Sequence, residues 1–570
     1  MGIYLENFNY ILVRCYIFVT SYNIKKGGFT MKFSKKSLWM LLLMFAFALM
    51  LAACNSDDDD GSSTDGGDGG TDDGKDTEVV AGGDLIIAEL SDAQSMDPHG
   101  SNDVPSSNVQ SNIYETLVIR DAKGELAPGL AESWNQVDEL TWEFKLREGV
   151  KFHDGEAFNA EAVKKSFDRV LDPDVASPRA FLYEMVTDVK VIDENTVQFV
   201  TEYPFSPLLA HLTHNGGSII SPKAIDTDYA AMTGDTKAGS VIGTKPVGTG
   251  PFKFDSWTPG TQLKLVKNTD YWGTAPSIDS VTFKVIPESA VRIAELQSGT
   301  AHIIGAVEPS QVSEVNALAD ASVLETPTSS LTYIGFNTNK EPFNNPKVRQ
   351  AISKAIDREA LIDGIYEGFA IPAISPLSPG IFGYTTDVTS MEYNIEEAKA
   401  LLAEAGYADG FKTTIWTNDS PTRKNVAIVL QQGLKELGIE LEIQELEWGA
   451  YLEKTAAGEH DMFILGWSNG TGDADYGLYA LFHSSQHGDP GNRSFYTNTK
   501  VDELLNSGRR EADQNKRLSI YQEAIQLISD DSPMAFVLHP SSLVGVSKEV
   551  TGFSVGADSI YRLTDIKIGK

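Results

Sequence analysis

The chain has 570 residues, too many for one typical hydrophobic core, and its 41% apolar content is that of a globular protein. Its formal net charge of −34 argues against nucleic acid as a partner, because nucleic-acid binding needs a basic stripe. Both cysteines, Cys15 and Cys54, lie near the N-terminus, so the rest of the chain has no thiol for a disulfide, a metal cluster or nucleophilic catalysis.

Residues 1–30 precede a second candidate start site. In KKGGFTMKFSKK, residues 25–36, Met31 stands before a basic patch. Codons for Lys-Gly-Gly can spell the purine-rich sequence that recruits a bacterial ribosome, and the Met31 codon follows shortly afterwards. We therefore expect residues 1–30 to be leader sequence that is not translated, with a genuine N-terminal extension as the alternative.

Residues 31–53 have the order of a bacterial lipoprotein signal peptide. Three lysines form a charged region, an apolar run follows, and Leu-Ala-Ala precedes Cys54. A diacylglycerol on the Cys54 thiol would give stable membrane attachment. The pattern predicts a chain that is lipid-anchored to the outer face of the cell membrane, in the periplasmic space where a cell has two membranes. A transmembrane anchor fits less well, since the apolar run is short for a span.

Residues 54–81 are predicted to be the lipidated cysteine and a flexible tether. The segment NSDDDDGSSTDGGDGGTDDGKDTE, residues 55–78, contains many acids and glycines and no apolar side chain. It cannot bury enough surface to offset the entropy of ordering. Its run of four aspartates lacks the alternating acids and flanking helix of a calcium loop, so we expect no calcium site.

Strand and helix patterns interleave from residue 84 onward. DLIIAEL has strand length, and TWEFKLR alternates Trp142, Phe144 and Leu146 with charged residues; TQLKLVKN and SVTFKVIP alternate in the same way. NPKVRQAISKAIDREALI is predicted to be a helix capped by Asn345, with Pro346 in its first turn. Four further segments have the helical period: EAVKKSFDRVL, EEAKALLAEAG, NVAIVLQQGLKELG and KRLSIYQEAIQLIS. This mixture predicts an α/β fold with mixed sheets.

The motifs of an exported hydrolase with a zinc or cysteine centre are missing from the sequence, which contains no HExxH. The pairs His211/His214 and His483/His487 have spacings that a metal could use, but both lie in polar, loop-like sequence. We therefore expect no catalytic residue, no metal site and no cofactor.

One segment is rich in aromatic, glycine and hydroxyl residues: FILGWSNGTGDADYGLYALFHSS, residues 463–485. A short apolar strand leads to Trp467, and a loop with Asp473 and Asp475 follows. An indole face, free backbone N–H groups and carboxylates together suit a small zwitterion in a cleft. The alternative is that Trp467 belongs to the core and that both acids are solvated.

Over residues 84–570 the sequence resembles the peptide and nickel family of ABC-transporter solute-binding lipoproteins, solute-binding family 5. The motifs that carry the resemblance are SMDPH, NIYETL, LAESW, TWEFKLREGVKFHDGEAFNAEAVKKS, VGTGPF, YIGFNTNKEPFNNPKVRQAISKAID, AGYADGF and EWGAYLEKTAAGEHDMFILGW. The resemblance implies a bilobed, type II periplasmic-binding-protein-like fold that closes on its ligand, with VGTGPF and YIGFN at or near the hinge. It implies three domains: lobe I at 82–123, 248–334 and 536–570, an inserted domain II at 124–247, and lobe II at 335–535.

The resemblance also implies a set of binding residues. Peptide-binding members have an Asp three residues after the Trp, where this chain has Gly470, whereas GWSxxTGDADY is similar to the loop of glutathione-binding members. On this basis Asp473 or Asp475 would bind an ammonium group and Arg423 a carboxylate. Further candidates for the site are Trp467, Gly466, Ser468, Thr471, Asn418, Ser95, Met96 and Asn337.

The function implied is that of a monomeric, non-enzymatic receptor that captures glutathione or a short peptide and delivers it to an ABC permease. Separate subunits would supply ATP hydrolysis, because this chain has no GxxxxGK[ST] motif. The alternatives within the family are a di- or oligopeptide, a nickel chelate or haem as ligand. Outside it, a sensor lipoprotein that signals to a kinase, or a surface adhesin, would share the fold and anchor.

Overall fold

A computed structural model describes residues 82–121 and 123–569. The predicted leader, signal peptide, lipidation site Cys54 and acidic tether all lie outside the described residues. Within the described ranges, none of the helices combines the length and the apolar character that crossing a membrane requires.

The strands are short and spread over the whole described chain. In chain order they are β1 (Asp84–Glu89), β2 (Val118–Arg120), β3 (Leu126–Pro128), β4 (Ala131–Asp138), β5 (Thr141–Leu146), β6 (Val186–Asp193), β7 (Thr196–Thr201), β8 (Phe252–Thr258), β9 (Gln262–Lys267), β10 (Ser280–Val285), β11 (Ile303–Ile304), β12 (Ala321–Pro327), β13 (Ser330–Phe336), β14 (Ala370–Pro372), β15 (Lys412–Asn418), β16 (Glu440–Leu446), β17 (Met462–Ser468), β18 (Met534–Ser547), β19 (Val550–Thr551), β20 (Ser554–Val555), β21 (Tyr561–Arg562) and β22 (Lys567–Ile568).

The helices are interspersed with these strands. They are α1 (Val104–Gln110), α2 (Ala160–Leu171), α3 (Leu208–His211), α4 (Pro222–Ala231), α5 (Ser289–Ser298), α6 (Val312–Asn316), α7 (Pro346–Lys354), α8 (Arg358–Gly364), α9 (Ile395–Glu404), α10 (Pro421–Lys435), α11 (Trp448–Ala456), α12 (Ala474–Phe482), α13 (Thr499–Arg510) and α14 (Gln514–Asp531). Short 3-10 turns occur at Ala180–Leu182, Asn215–Gly217, Pro309–Gln311 and Ser484–Gln486.

The predicted elements are confirmed, with one correction. The four alternating or apolar segments form β1, β5, β9 and β10, and the further helical segments form α2, α9, α10 and α14. The side chain of Asn345 caps α7 by accepting from the Lys347 N–H at 3.0 Å, as predicted. The helix does not continue through NPKVRQAISKAIDREALI, however, because Asp357 adopts an extended backbone and caps a second helix, α8, by accepting from the Ala360 N–H.

A twelve-stranded mixed sheet runs through the described molecule in the order β16-β15-β17-β13-β18-β11-β1-β10-β9-β8, with β12 and β14 also on β18. The long strand β18 joins its two halves, pairing with β13 in its first part and with β12 and β11 in its second. The chain passes between the halves a second time from β12 to β13, where the Thr328 hydroxyl donates to the Pro540 carbonyl at 2.8 Å. The proposed domain junctions 334/335 and 535/536 fall inside β13 and β18.

The four-stranded antiparallel sheet β4-β5-β7-β6 lies within the segment expected to be inserted, residues 124–247, and packs with α2. The VGTGPF motif follows this segment and packs on the turn after α1. Gly248 is required there, since a Cβ atom would stand 2.1 Å from the Ile113 carbonyl oxygen.

Candidate functional site

A cavity of about 810 Å³ lies between the two halves of the long sheet. One wall is formed by residues at the end of β1, on α1 and on the hairpin β20–β21, and the other by β13, β17, α10 and α11. The inserted segment contributes Arg179 and His214. Cavities of ~300–1,000 Å³ suit small-molecule ligands, so this is the candidate binding site.

Trp467 forms one face of this cavity. It lies on β17 opposite Leu331 of β13, and its ring packs on Tyr476 with 5.0 Å between the centroids. Its indole Nε1 is buried and has no hydrogen-bond partner among the residues that the structure describes. The neighbouring Gly466 and Ser468 also line the cavity, and the Ser468 hydroxyl lies 2.6 Å from that of Ser330.

Arg423 and Asn418 form the adjoining wall. Asn418 ends β15 and Ser420 caps α10, which brings Arg423 into the first turn of that helix and its guanidinium into the cavity. Nη1 of Arg423 donates to Asn418 Oδ1 at 2.9 Å, and the guanidinium lies 5.8 Å from the Trp448 ring. Within residues 82–121 and 123–569 no carboxylate oxygen lies within 4 Å of Arg423, which leaves its charge open to a ligand.

The two acids proposed for the ammonium group lie away from the cavity lining. Asp473 caps α12 and makes a bidentate ion pair with the buried Arg517, with N–O distances of 2.8 and 3.1 Å. Asp475 is completely buried and contacts the Arg509 Nε at 3.1 Å and the His211 Nε2 at 3.2 Å. Burial raises the pKa of Asp475, but Arg509 and His211 outweigh that effect and hold the pKa below its ordinary value.

Four other proposed residues also have contacts elsewhere. The Thr471 hydroxyl donates to Asn469, Met96 is buried in the core below β1, and the Ser95 hydroxyl accepts from the Asp97 N–H. Asn337 donates to the carbonyls of Gly458 and His460 at 2.9 and 3.1 Å. The structure therefore brings together Trp467, Gly466, Ser468, Arg423 and Asn418, and places the remaining proposed residues outside the cavity lining.

The cavity contains charged and aromatic residues that the sequence patterns did not indicate. Asp103 caps α1, and burial raises the pKa of its carboxyl, although the Ser106 N–H and hydroxyl, the charge of Arg179 and the Trp448 indole oppose that shift. No cation lies within 4 Å of the Asp103 carboxylate in the described part of the chain. The DVPSS sequence around Asp103 is a recognisable helix start, so it could have predicted the cap but not its place beside a cavity.

Trp448 is a second buried indole in the cavity wall. Like that of Trp467 and like Nε of Arg120, its Nε1 makes no close hydrogen bond among the described residues, but the Trp448 indole lies near enough to the Asp103 carboxyl to lower its pKa. Buried polar groups are nearly always hydrogen-bonded in native proteins. The unpartnered buried atoms of the wall thus include three N–H donors that suit an anionic or carbonyl-rich ligand, beside Glu89 Oε1 and the Tyr114 hydroxyl.

The sequence GFSVG, residues 552–556, matches the GxSxG pattern of serine hydrolases. In the structure Ser554 lies in the two-residue strand β20, which turns back into β21. A nucleophile of that class requires a turn from a strand into a helix. The geometry at Ser554 therefore does not support a hydrolase.

Comparisons with known proteins decide the family. The model for bacterial extracellular solute-binding proteins, family 5, matches residues 125–489, which is more than half of the chain. The chain belongs to this family. It is accordingly an extracytoplasmic solute-binding protein rather than an enzyme, and the expected type II periplasmic-binding-protein fold is confirmed.

Individual relatives match over almost their whole length. The glutathione-binding protein GsiB of Pectobacterium atrosepticum is 34% identical over 496 residues, which cover 85% of this chain and 94% of that protein. The periplasmic binding protein DppA of Helicobacter pylori, solved with the peptide STSA, is 33% identical with a TM-score of 0.79, covering 86% of this chain and 99% of that one. The oligopeptide-binding protein AppA of Bacillus subtilis, solved with a nonapeptide, is 28% identical with a TM-score of 0.79, covering 86% and 100%.

Proposed function

We propose that this solute-binding protein captures glutathione or a similar short peptide and delivers it to an ABC permease. The observation that carries the proposal is the set of unpartnered N–H donors in the cavity wall. The guanidinium of Arg423 and the indole N–H of Trp467 line one cavity, and neither has a carboxylate partner within the described ranges. The indole of Trp448 lines the same cavity beside the Asp103 carboxyl. Charge-assisted hydrogen bonds to a guanidinium are the strong ones, so a ligand carboxylate is the expected partner.

The acid that would bind the ligand ammonium is Asp103 rather than Asp473 or Asp475. Asp103 lines the cavity and has no cation within 4 Å in the described chain, whereas the other two acids are already paired with arginines. Glutathione, with one ammonium and two carboxylates, matches a wall that offers an acid without a close cation, Asp103, and several unpartnered N–H donors. The glutathione-binding relatives support this choice of ligand.

We also propose that lipidated Cys54 anchors the chain to the outer face of the cell membrane. The lipoprotein pattern of residues 31–54 supports this, and the acidic segment that follows would act as a tether. Mass analysis of the mature protein tests the anchor. A diacylglycerol-modified N-terminal Cys54 is the expected result, and an unmodified N-terminus upstream of it would contradict the proposal.

The ligand is tested by a thermal-shift panel with glutathione, oxidised glutathione, di- to pentapeptides and nickel with histidine. A ligand at ~100 times its dissociation constant stabilises the folded state by about 2.7 kcal/mol, enough to raise the melting temperature measurably. Glutathione is expected to give the largest shift. If only the di- to pentapeptides other than glutathione raise the melting temperature, one of them is the ligand. A separate genetic test concerns transport: if deletion of the gene changes transcription but not uptake of the ligand, the chain is a sensor.

A further inference from the structure

Arg179 is a buried guanidinium in the cavity wall that has only neutral partners. It precedes the 3-10 turn Ala180–Leu182 in the inserted segment and is 1% exposed. Its Nε donates to the Ser101 carbonyl at 2.6 Å, and its Nη1 donates to Asn102 Oδ1. No carboxylate oxygen lies within 4 Å of this guanidinium in the described part of the molecule, and the acid whose charge acts on it from farther away is Asp103.

A second buried arginine of the inserted segment, Arg169, has carboxylate partners. Arg169 is also 1% exposed, and it forms a bidentate ion pair with Asp97 at 2.7 and 3.1 Å. Its Nη2 makes a single further contact with the Asp228 carboxylate at 3.1 Å. Burial of an unpaired charge is strongly unfavourable, which is the reason for such pairs. Arg179 lacks a pair of this kind and faces the cavity instead.

His214 adds a second donor at the same place. Its Nδ1 accepts from the Gly216 N–H at 3.0 Å, and its Nε2 lies 3.1 Å from Nη1 of Arg179. Burial, followed by the charge of Arg179, holds the pKa of His214 well below its ordinary value, so the ring is neutral and carries one N–H. With Nδ1 accepting, that N–H is on Nε2 and points at an N–H of Arg179. In the other tautomer the proton is on Nδ1, and this N–H faces the N–H of Gly216.

Either tautomer leaves two donors facing each other, and an oxygen anion that accepts from both would resolve the conflict. Space for it exists beside Gly470. A Cβ atom at residue 470 would be in van der Waals contact with the ring, 3.5 Å from His214 Cδ2 and 4.0 Å from Nε2, and would lie 4.0 Å from the Asp558 Cβ. Glycine thus leaves the volume of a side chain next to the ring. The His214 ring packs on Tyr476, which packs in turn on Trp467.

We infer that Arg179 and His214 form a second carboxylate subsite, separate from Arg423, and that the protein thereby selects ligands with two carboxylates. The inference rests on the proposed function and makes it more specific. A ligand with a single carboxylate leaves one buried guanidinium unpaired, and that penalty would discriminate against ordinary dipeptides. A γ-glutamyl tripeptide such as glutathione supplies a carboxylate at each end.

The test is calorimetric titration of the full chain, purified in detergent, with three ligands. They are glutathione, its ethyl ester at the glycine carboxyl, and an analogue with a carboxamide in place of the γ-glutamyl α-carboxylate. The unaltered chain is expected to bind each analogue at least about tenfold more weakly than glutathione, a loss of about 1.4 kcal/mol. Arg179→Gln is expected to bind glutathione at least about tenfold more weakly and to bind one of the two analogues as well as it binds glutathione. Arg423→Gln is expected to bind the other analogue as well as it binds glutathione.

Unchanged discrimination by Arg179→Gln would overturn the inference while leaving glutathione as the ligand. Failure of the unaltered chain to bind glutathione would overturn the proposed ligand and the inference together. Arg179→Lys, which keeps the charge but not the planar fork, is expected to bind glutathione with an intermediate affinity.

A substitution outside the arginines keeps the inference testable if Arg179→Gln does not fold. Gly470→Asp places a carboxylate next to His214, where it would compete with the ligand, and Gly470→Asn is a neutral control of the same size. Glutathione is expected to bind Gly470→Asp about tenfold more weakly than Gly470→Asn. Equal affinities of the two variants, with melting temperatures near that of the unaltered chain, would count against a carboxylate subsite at this position.

Discussion

Buried charges are ion-paired in one region of the molecule and have only neutral close neighbours in another. At the start of α12, each acid faces a buried arginine: Asp473 pairs with Arg517 and Asp475 with Arg509. In the cavity wall Arg423 lies in a similar position at the start of a helix, yet within the described residues its guanidinium has only neutral neighbours, Asn418 and the Trp448 ring among them. Paired charges hold the fold together, whereas unpaired charges around a cavity are left for a ligand.

The paired region also joins distant parts of the chain. Arg509 binds Glu184 at 2.6 Å and the Phe181 carbonyl at 2.7 Å, and Asp475 binds His211 at 3.2 Å. Glu184, Phe181 and His211 belong to the inserted segment, whereas Arg509 and Asp475 belong to the second half of the chain. This cluster therefore fixes the inserted segment against that half, close to the cavity but outside its lining.

The largest expected effect is the loss of a paired charge. Asp475→Ala leaves Arg509 buried next to His211 without its main counter-charge, so the free energy of unfolding should fall by about 3–5 kcal/mol. Urea unfolding followed by circular dichroism measures the change. Glu404→Ala, which breaks an exposed pair with Lys347, is the control and should cost at most about 1 kcal/mol. Equal losses in the two variants would remove the distinction between buried and exposed pairs.

The next effect concerns Glu89, a buried acid in the cavity wall. Burial raises its pKa from 4.5 to about 7, opposed by a hydrogen bond from Tyr561 and the charge of Arg292. Between pH 4.5 and 7 the folded state holds a proton that the unfolded state has lost, so stability is greatest below that interval and falls as pH rises through it.

Glu89→Gln, which mimics the protonated carboxyl, should remove this dependence. Between pH 5 and 8 the unaltered chain is expected to lose up to about 3 kcal/mol of unfolding free energy relative to the variant. Urea unfolding at a series of pH values measures the difference. Parallel pH profiles for the two chains would show that Glu89 is ionised in the folded protein throughout the interval.

Features that depend on residues close together in the chain, such as helices and strand ends, were predictable from the sequence. The apolar periods of two segments were sufficient to predict the helices α9 and α14, because the buried face of a helix repeats every three to four residues. Trp467, Arg423 and Asn418 each lie at or just after the end of a strand, where loops gather around a cleft, and the structure places all three on the cavity. The break between α7 and α8 was not predicted, because the apolar period continues across Asp357.

The sequence did not indicate which acids would be paired. Arg509 lies 34 residues after Asp475, and Arg517 lies 44 residues after Asp473, so no local pattern shows that these acids are already bound. Asp103 is more than 300 residues from Arg423, and only the fold places both on one cavity. Pairing of buried charges is a property of tertiary structure, and the sequence gives the residue types without their partners.

Arg423→Gln removes a half-buried charge that, unlike that of Asp475, has no charged partner within the described residues. Glutathione is expected to bind this variant about 10- to 100-fold more weakly, since a hydrogen bond to a charged group contributes about 1.5–3 kcal/mol. The unfolding free energy of the free protein should remain unchanged or rise slightly, because no carboxylate partner within the described residues is lost. Calorimetry and urea unfolding on the same preparation give both quantities. A loss of stability as large as that of Asp475→Ala would show that Arg423 serves the fold.

The smallest expected effect is at Trp467. Trp467→Phe keeps an aromatic ring against Tyr476 and removes only the Nε1–H, which has no partner in the described part of the free protein. Its removal should therefore leave the unfolding free energy almost unchanged. If a ligand oxygen accepts from Nε1, the affinity should fall by a factor of about 2 to 12, since a neutral hydrogen bond contributes about 0.5–1.5 kcal/mol. An unchanged affinity would mean that the Trp467 indole supplies a surface and no hydrogen bond to the ligand.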